Sequence, residues 1–202
     1  MREGPQRGGR GPRVIAGEMG GLRLVVPRGT GTRPTTDRVK ESVFGALGSA
    51  RLAGAHVLDG YAGTGALAIE ALSRGAASAV IVERDPRAVD AIRRNLVTTR
   101  ATDRASVQRR GFAGYLAARP PERAFDLVFL DPPYDLSGQE LARILELLDG
   151  PGWLADGAGV VIERSAAVGP PSLPAAWHVS WERVYGDTLV VLAGPDAHVP
   201  TA

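Results

Sequence analysis

Residues 56–72 read HVLDGYAGTGALAIEAL: a short run that begins β-rich, a turn carrying three glycines, and an apolar stretch with no helix breaker. This is a strand, a tight turn and a helix, the glycines supplying backbone conformations that other residues adopt only under strain. The alternation continues downstream. SAVIVE (78–83) reads as a strand, PRAVDAIRRNL (86–96) as a helix, ASVQR (105–109) as a strand, residues 113–118 as a short helix, DLVFL (126–130) as a strand and QELARILELL (139–148) as a helix. Strands in this order with helices between them require right-handed crossovers, hence a parallel sheet covered on both faces. GVVIERS (159–165) adds a strand, and HVSWERVYG (178–186) with TLVVLAG (188–194) reads as a hairpin about Gly186-Asp187, so an antiparallel pair closes the sheet. Trp177, Val179 and Trp181 then fall on one strand face and, like Trp153, read as packing residues.

Upstream, RVIAG (13–17) and LRLVVP (22–27) read as two strands of a hairpin joined through Met19-Gly20-Gly21. After GTGTRPT (29–35), a helix from Asp37 to Leu47 places Val39, Val43, Phe44 and Leu47 on one stripe, with Thr36 or Asp37 as N-cap and Gly48 as stop. Residues 1–12 hold almost no apolar side chain and cannot offset the entropy of ordering. The expected organisation is a flexible basic tail over 1–12, a hairpin-and-helix extension over 13–50, a catalytic unit over 51–195 and a short tail over 196–202.

The 202 residues suffice for one domain with an appendage. With no cysteine, disulfides, thiolate nucleophiles and cysteine zinc sites are excluded, and three scattered histidines leave little for another metal. No metal is expected. No apolar run is long enough to span a membrane, and none follows the basic N-terminus as in a secretory signal; a cytoplasmic protein without membrane contact is expected. No coiled-coil pattern or apolar surface stripe marks an oligomer, so a monomer is expected. The net charge of +2 conceals an asymmetry: residues 1–40 carry nine cationic and three acidic side chains, and the remainder fifteen against nineteen. Of the 24 cations, 23 are arginine, whose planar fork suits phosphate and base recognition.

Open α/β sheets bind ligands beyond the carboxyl ends of their strands, where the strand order switches. Two such ends stand out. The first is Asp59-Gly60-Tyr61-Ala62-Gly63-Thr64-Gly65, whose glycines let a ligand approach the backbone and whose following helix offers free N–H groups. Glu83 ends the next strand, where a carboxylate can accept from both ribose hydroxyls of an adenosine. A nucleoside cofactor is implied. GTGALA (63–68) also satisfies the dinucleotide pattern G-x-G-x-x-G/A, so the motif alone does not separate a nicotinamide cofactor from S-adenosylmethionine (SAM). Asp59 favours SAM: a carboxylate there repels a pyrophosphate and suits an ammonium or sulfonium.

The second strand end is Asp131-Pro132-Pro133-Tyr134. The lone pair of an aromatic amine is delocalised into its ring, so the amine is a weak nucleophile until acceptors take its N–H groups. Asp131 and the Pro132 carbonyl supply acceptors, the prolines present carbonyls without competing donors, and Tyr134 offers a face for a base. This is a site for methyl transfer to an exocyclic amine. The open alternatives are an adenine or a protein glutamine as acceptor, a nicotinamide-dependent oxidoreductase, and an RNA-binding assembly factor with a vestigial cofactor site.

DGYAGTGALAIEALSRGA (59–76), VIVERD (80–85), DPPY (131–134), RVIAGEMGGLRLVVP (13–27) and RPTTDRVKESVFGAL (33–47) together resemble the bacterial RsmD family of 16S ribosomal RNA guanine-N2 methyltransferases, from about Arg13 to Val191. The resemblance implies an α/β Class I SAM-dependent methyltransferase: a Rossmann-like, seven-stranded, mostly parallel sheet with an antiparallel last strand, plus the small N-terminal hairpin-helix extension. It implies that Asp59, Gly63 and Gly65 line the methionine part and Glu83 the ribose, that Tyr61 and Arg84 also bind the cofactor, and that Asp131, Pro132, Pro133 and Tyr134 meet the target base. Where the family usually has a small polar or acidic residue near the adenine, this chain has Arg110-Gly111-Phe112, so Gly111 and Phe112 would serve through backbone groups and ring contact. The implied partner is 16S rRNA in the small ribosomal subunit or its assembly intermediate. The basic extension faces that RNA, with Arg13, Arg23, Arg33, Arg38 and Lys40 meeting phosphates and Arg2, Arg7 and Arg10 adding salt-sensitive contacts.

Overall fold

The computed structural model describes residues 11–27 and 37–195. Arg2, Arg7, Arg10, Arg33, the Thr36 cap, His198 and the 196–202 tail lie outside them. Seven strands, β1 (His56–Gly60), β2 (Ser78–Glu83), β3 (Ala105–Arg109), β4 (Phe125–Leu130), β5 (Leu154–Ser165), β6 (His178–Tyr185) and β7 (Thr188–Gly194), form one sheet in the order β3-β2-β1-β4-β5-β7-β6. The first five are parallel, and β7 runs antiparallel between β5 and β6. The hairpin about Gly186-Asp187 thus places the final strand inside the sheet and leaves β6 at its edge.

Helices α1 (Asp37–Leu52), α2 (Ala66–Ser73) and α3 (Pro86–Thr98) cover one face, and α4 (Phe112–Leu116) and α5 (Gly138–Leu148) the other. Successive strand residues enter opposite cores: Val57 and Phe129 pack with Phe44, Ile69 and Ile92, whereas Leu58 and Val128 pack with Phe112, Leu145 and Trp153. Burial on both sides is why these strands read as continuous apolar runs. α1 breaks at Gly48 (φ 69°, ψ 164°), as expected, and one more turn carries Leu52 into the core.

The arms of the front segment run antiparallel, as expected of a hairpin: Arg13 and Arg23 form a bridge, and Val14 N donates to Leu22 O, Gly21 N to Val14 O and Leu24 N to Pro12 O. They form no regular strands, and helix side chains meet many of their other backbone groups. Glu70, wholly buried on α2, accepts from Ile15 N (2.7 Å) and Ala16 N (3.1 Å) and pairs with Arg74 Nε at 2.6 Å. Ser73 Oγ accepts from Met19 N and donates to Ala16 O. Val14, Met19 and Leu24 are buried beneath these contacts. The closest approach is at Gly17 (φ 84°), where a Cβ would stand 1.8 Å from the Ser73 carbonyl oxygen. Gly17→Ala is expected to lower the unfolding free energy by about 3 kcal/mol or more, read as a lower urea midpoint at unchanged slope. A wild-type midpoint would mean that the segment does not dock in this way.

The sheet edge carries a second correction. Trp177 precedes β6 and a register shift lies between Val179 and Trp181, so the three residues do not share a face. Trp177 is buried in the α5 core with its Nε1 donating to Asp149 at 2.6 Å, Val179 is 45% exposed, and Trp181 packs against the opposite core. Trp153 is a packing residue, as expected. Among the described residues no helix is long and apolar enough to cross a membrane, and no group of three or more His, Asp or Glu is placed to hold a metal ion.

Candidate active site

β1 has β2 on one side and β4 on the other, so the crevice beyond their carboxyl ends is the switch point of the sheet. A cavity of about 720 Å³ opens there, in the range of small-molecule sites. Tyr61, Gly63, Glu83, Arg84, Gly111, Phe112, Asp131 and Pro133 all line it. The two strand-end loops therefore share one cavity. Asp59, Gly65 and Pro132 are not part of its wall; Tyr134, 72% exposed, lies between the lining residues Pro133 and Asp135.

In the first loop Tyr61 (φ 62°), Gly63 (φ 55°) and Gly65 (φ 74°) all take left-handed backbone. For Tyr61 this costs of order 1–3 kcal/mol, and its ring is held against Phe112 with 5.4 Å between centroids. Phe112, nearly all buried, lies so close to Gly60 that a Cβ there would meet the ring at 2.6 Å. Glu83 accepts from Gly63 N (2.9 Å), Arg84 N (2.7 Å) and Asp85 N (2.8 Å). These bonds fix the carboxylate toward the loop, and its remaining lone pairs can take hydroxyl donors.

Asp59 is buried behind the loop, where its Oδ2 accepts from Ala68 N at 3.0 Å in the first turn of α2. Burial pushes its carboxyl up to about 7; the Ala68 N–H opposes the rise, and the charges of Asp131 and Glu83 add to it. Five carboxylates, Glu83, Asp85, Asp131, Asp135 and Glu140, line the cavity against three arginines, Arg84, Arg110 and Arg143, and Asp59 lies behind it, a balance that disfavours a pyrophosphate and fits a ligand carrying positive charge.

The second loop is more constrained than its sequence suggests. The Pro133 carbonyl accepts from Leu136 N at 2.9 Å and so closes a turn, which corrects the expectation that both proline carbonyls are presented to a ligand. A capping box between Ser137 and Glu140 fixes the far end, and these hydrogen bonds hold the Glu140 carboxyl below its ordinary range. The sequence reading missed the wall supplied by α5, where Glu140, Arg143, Ile144 and Leu147 line the cavity. Leu147 carried a signal: it is apolar and half-exposed, off the buried stripe of Leu141, Ile144, Leu145 and Leu148.

Of the cations expected to meet RNA, Arg13, Arg23 and Arg38 are exposed, although Arg13 Nε is paired with Asp37 at 2.9 Å. Lys40 is a correction. It is wholly buried, its Nζ donates to the Arg13 carbonyl, and Asp37 lies 3.6 Å away. Burial lowers its pKa against the charges of Glu70 and Asp37. Lys40 closes the front segment onto α1 and cannot reach a phosphate. Its spacing with Val43, Phe44 and Leu47 had placed it on the buried stripe.

A cavity that fits a cation, beside a rigid acceptor loop at the switch point of a sheet with a reversed final strand, defines a Class I methyltransferase. Solved structures agree. The Escherichia coli methyltransferase yhhF superposes with a TM-score of 0.80 at 36% identity, covering 90% of this chain and 96% of that one. A distant methyltransferase solved with SAH shares the fold alone, with a TM-score of 0.60 at 14% identity over 77% of this chain and 48% of that one. Residues 12–194 match the family described as Conserved hypothetical protein 95. Ribosomal RNA small subunit methyltransferase D of Escherichia coli (strain K12) is 38% identical over 183 residues, 90% of this chain and 89% of that protein. The protein of the same name from Haemophilus influenzae is 34% identical over 175 residues, 86% and 89% of the two chains. The chain belongs to this family, the RsmD methyltransferases.

Proposed function

We propose that the protein, acting as a monomer, transfers a methyl group from SAM to the exocyclic N2 amine of a guanine in 16S rRNA. The observation that carries this reading is the single cavity shared by the acidic first loop and Asp131 of the second. Glu83, already oriented by three backbone N–H groups, would hold the ribose hydroxyls. Buried Asp59 and the cavity's other carboxylates would balance the positive charge of the methionine part. Gly111 and Phe112 would border the adenine.

When bound, SAM supplies an electrophilic methyl carbon: the amine nitrogen bonds to it as the carbon–sulfur bond breaks, leaving SAH and one proton. Asp131, which lines the cavity, would accept an amine N–H, freeing the lone pair from the ring, and would take that proton. The Pro132 carbonyl, between the lining residues Asp131 and Pro133, would be the second acceptor, and Pro132 has no N–H to compete. Tyr134 would stack on a base turned out of its helix, worth about 1–3 kcal/mol. Holding amine and methyl donor in line contributes about 7–11 kcal/mol to lowering the barrier. Arg13, Arg23 and Arg38 would meet phosphates of the same RNA.

The test is transfer of tritium from labelled SAM to naked 16S rRNA and, in parallel, to small subunits lacking the modification, followed by mass-spectrometric mapping. Label on guanine N2 is the expected result. Label on adenine or on a protein glutamine would move the acceptor while keeping the chemistry, and no labelling by folded protein would remove the proposal.

A further inference from the structure

The first loop is gripped from two sides, and only one grip belongs to the cavity. Glu83 holds the Gly63 N–H from within. The second peptide after it, Thr64–Gly65, is held from behind, where Asn95 Nδ2 on α3 donates to the Thr64 carbonyl at 2.9 Å. Asn95 has no solvent exposure and does not line the cavity. Its remaining bonds go to the front segment: Oδ1 accepts from Val25 N at 2.7 Å, and Nδ2 also donates to Val25 O at 3.1 Å.

One amide thus joins backbone groups that lie 70 and 31 residues away in sequence. An apolar side chain at this position would leave the Val25 N–H and the part-buried Thr64 carbonyl without these bonds, and a carboxylate would keep the acceptor but lose both donors. Thr64 also sits between two left-handed glycines, and the Thr64–Gly65 peptide is held at its N–H by Ala62 O at 2.7 Å and at its carbonyl by Asn95. Asn95 is the group in contact with that carbonyl.

We propose that Asn95 is a positioning residue through which the front segment sets the cofactor loop. Docking of residues 22–27 orients the Thr64 peptide, and with it the Gly63 N–H that holds Glu83, so cofactor binding and the state of the front segment are coupled. This rests on the reading of the cavity as a SAM site. Coupling of this kind is reciprocal: SAM must tighten the Val25 amide, and whatever holds the front segment must raise SAM affinity. An RNA bound by the exposed arginines of that segment would therefore favour the loaded enzyme.

The test combines calorimetric titration with SAM and backbone amide hydrogen exchange, both without RNA. In the wild type, SAM is expected to slow exchange at Val25 by about threefold or more, although Val25 is outside the cavity. Asn95→Asp should weaken SAM binding by about tenfold and abolish the protection at Val25 while protection at Gly63 persists. Val25→Pro removes the N–H from the other side without altering α3 or the loop, and should weaken SAM binding in the same direction. Folded variants that both bind SAM with the wild-type Kd overturn the inference, even if their unfolding midpoints fall, because that is the signature of a merely structural amide. A wild type in which SAM leaves Val25 exchange unchanged overturns it whether or not either variant folds. A wild type that does not bind SAM overturns the cavity reading and the inference together.

Discussion

Asp131→Ala is expected to lower kcat by about a thousandfold while SAM affinity stays within about threefold of wild type. The reason lies in the division of the cavity. Glu83, Gly63 and Asp59 face or back the cofactor side and keep their hydrogen bonds when Asp131 is truncated, since those bonds run to Arg84, Asp85 and Ala68. What disappears is the acceptor that the amine needs at the moment of attack. Asp131→Asn separates two parts of the role: an amide oxygen can still take one N–H, but it does not remove the proton, so activity should be intermediate. Single-turnover labelling together with calorimetric titration of SAM measures both quantities. If Asp131→Ala loses SAM binding and turnover together, Asp131 belongs to the cofactor site or the fold and not to the acceptor.

The second large effect is a pH dependence centred on Asp59. Its folded-state pKa, about 7, lies above its ordinary value of 3.8. The ligand-free protein therefore keeps a proton there that the unfolded chain gives up. This contribution to stability is complete below about pH 4 and is lost as pH rises through 7, a change of up to about 4 kcal/mol. Asp59→Asn, which retains an acceptor for Ala68 N, should make the ligand-free protein more stable than wild type at pH 8, with the advantage vanishing near pH 4. SAM affinity should move the opposite way. In the wild type it should rise about tenfold per pH unit below 7 and level off above, because a cation favours the ionised carboxylate; in Asp59→Asn it should be weak and flat. Titrations between pH 5.5 and 8.5 in buffers of different ionisation enthalpy would also register the released proton. A wild-type affinity that does not change over that range would mean that Asp59 is ionised before SAM arrives, or that it never senses the ligand.

The strands and helices from His56 onward were legible because each local signal agreed with its neighbours: glycines at the β1–α2 turn, Pro86 after its Asp85 cap, Ser137 three residues before Glu140. For the same reason the strand-end positions of Tyr61, Gly63, Glu83 and Arg84, which line one cavity, were legible. The front segment was legible only in part. Its glycines and β-branched residues predict the antiparallel arms that form, yet Ile15, Ala16, Met19 and Val25 find their hydrogen-bond partners on α2 and α3, 54 to 70 residues away, and no local pattern announces such partners. The tryptophan face failed because one register shift reverses every residue beyond it. Lys40 was a misreading of another kind: its charge was given more weight than its position on the helix stripe, which was already visible.

The order of the last strands bears on how the chain is made. β7 is translated after β6 but must pair with both β5 and β6. Until Gly194 leaves the ribosome, the nascent polypeptide carries two open strand borders with nothing between them, and such borders invite pairing with other chains. A chain cut short within β7 would therefore leave β5 and β6 each with an open border, prone to aggregate rather than to act as a slightly shortened enzyme.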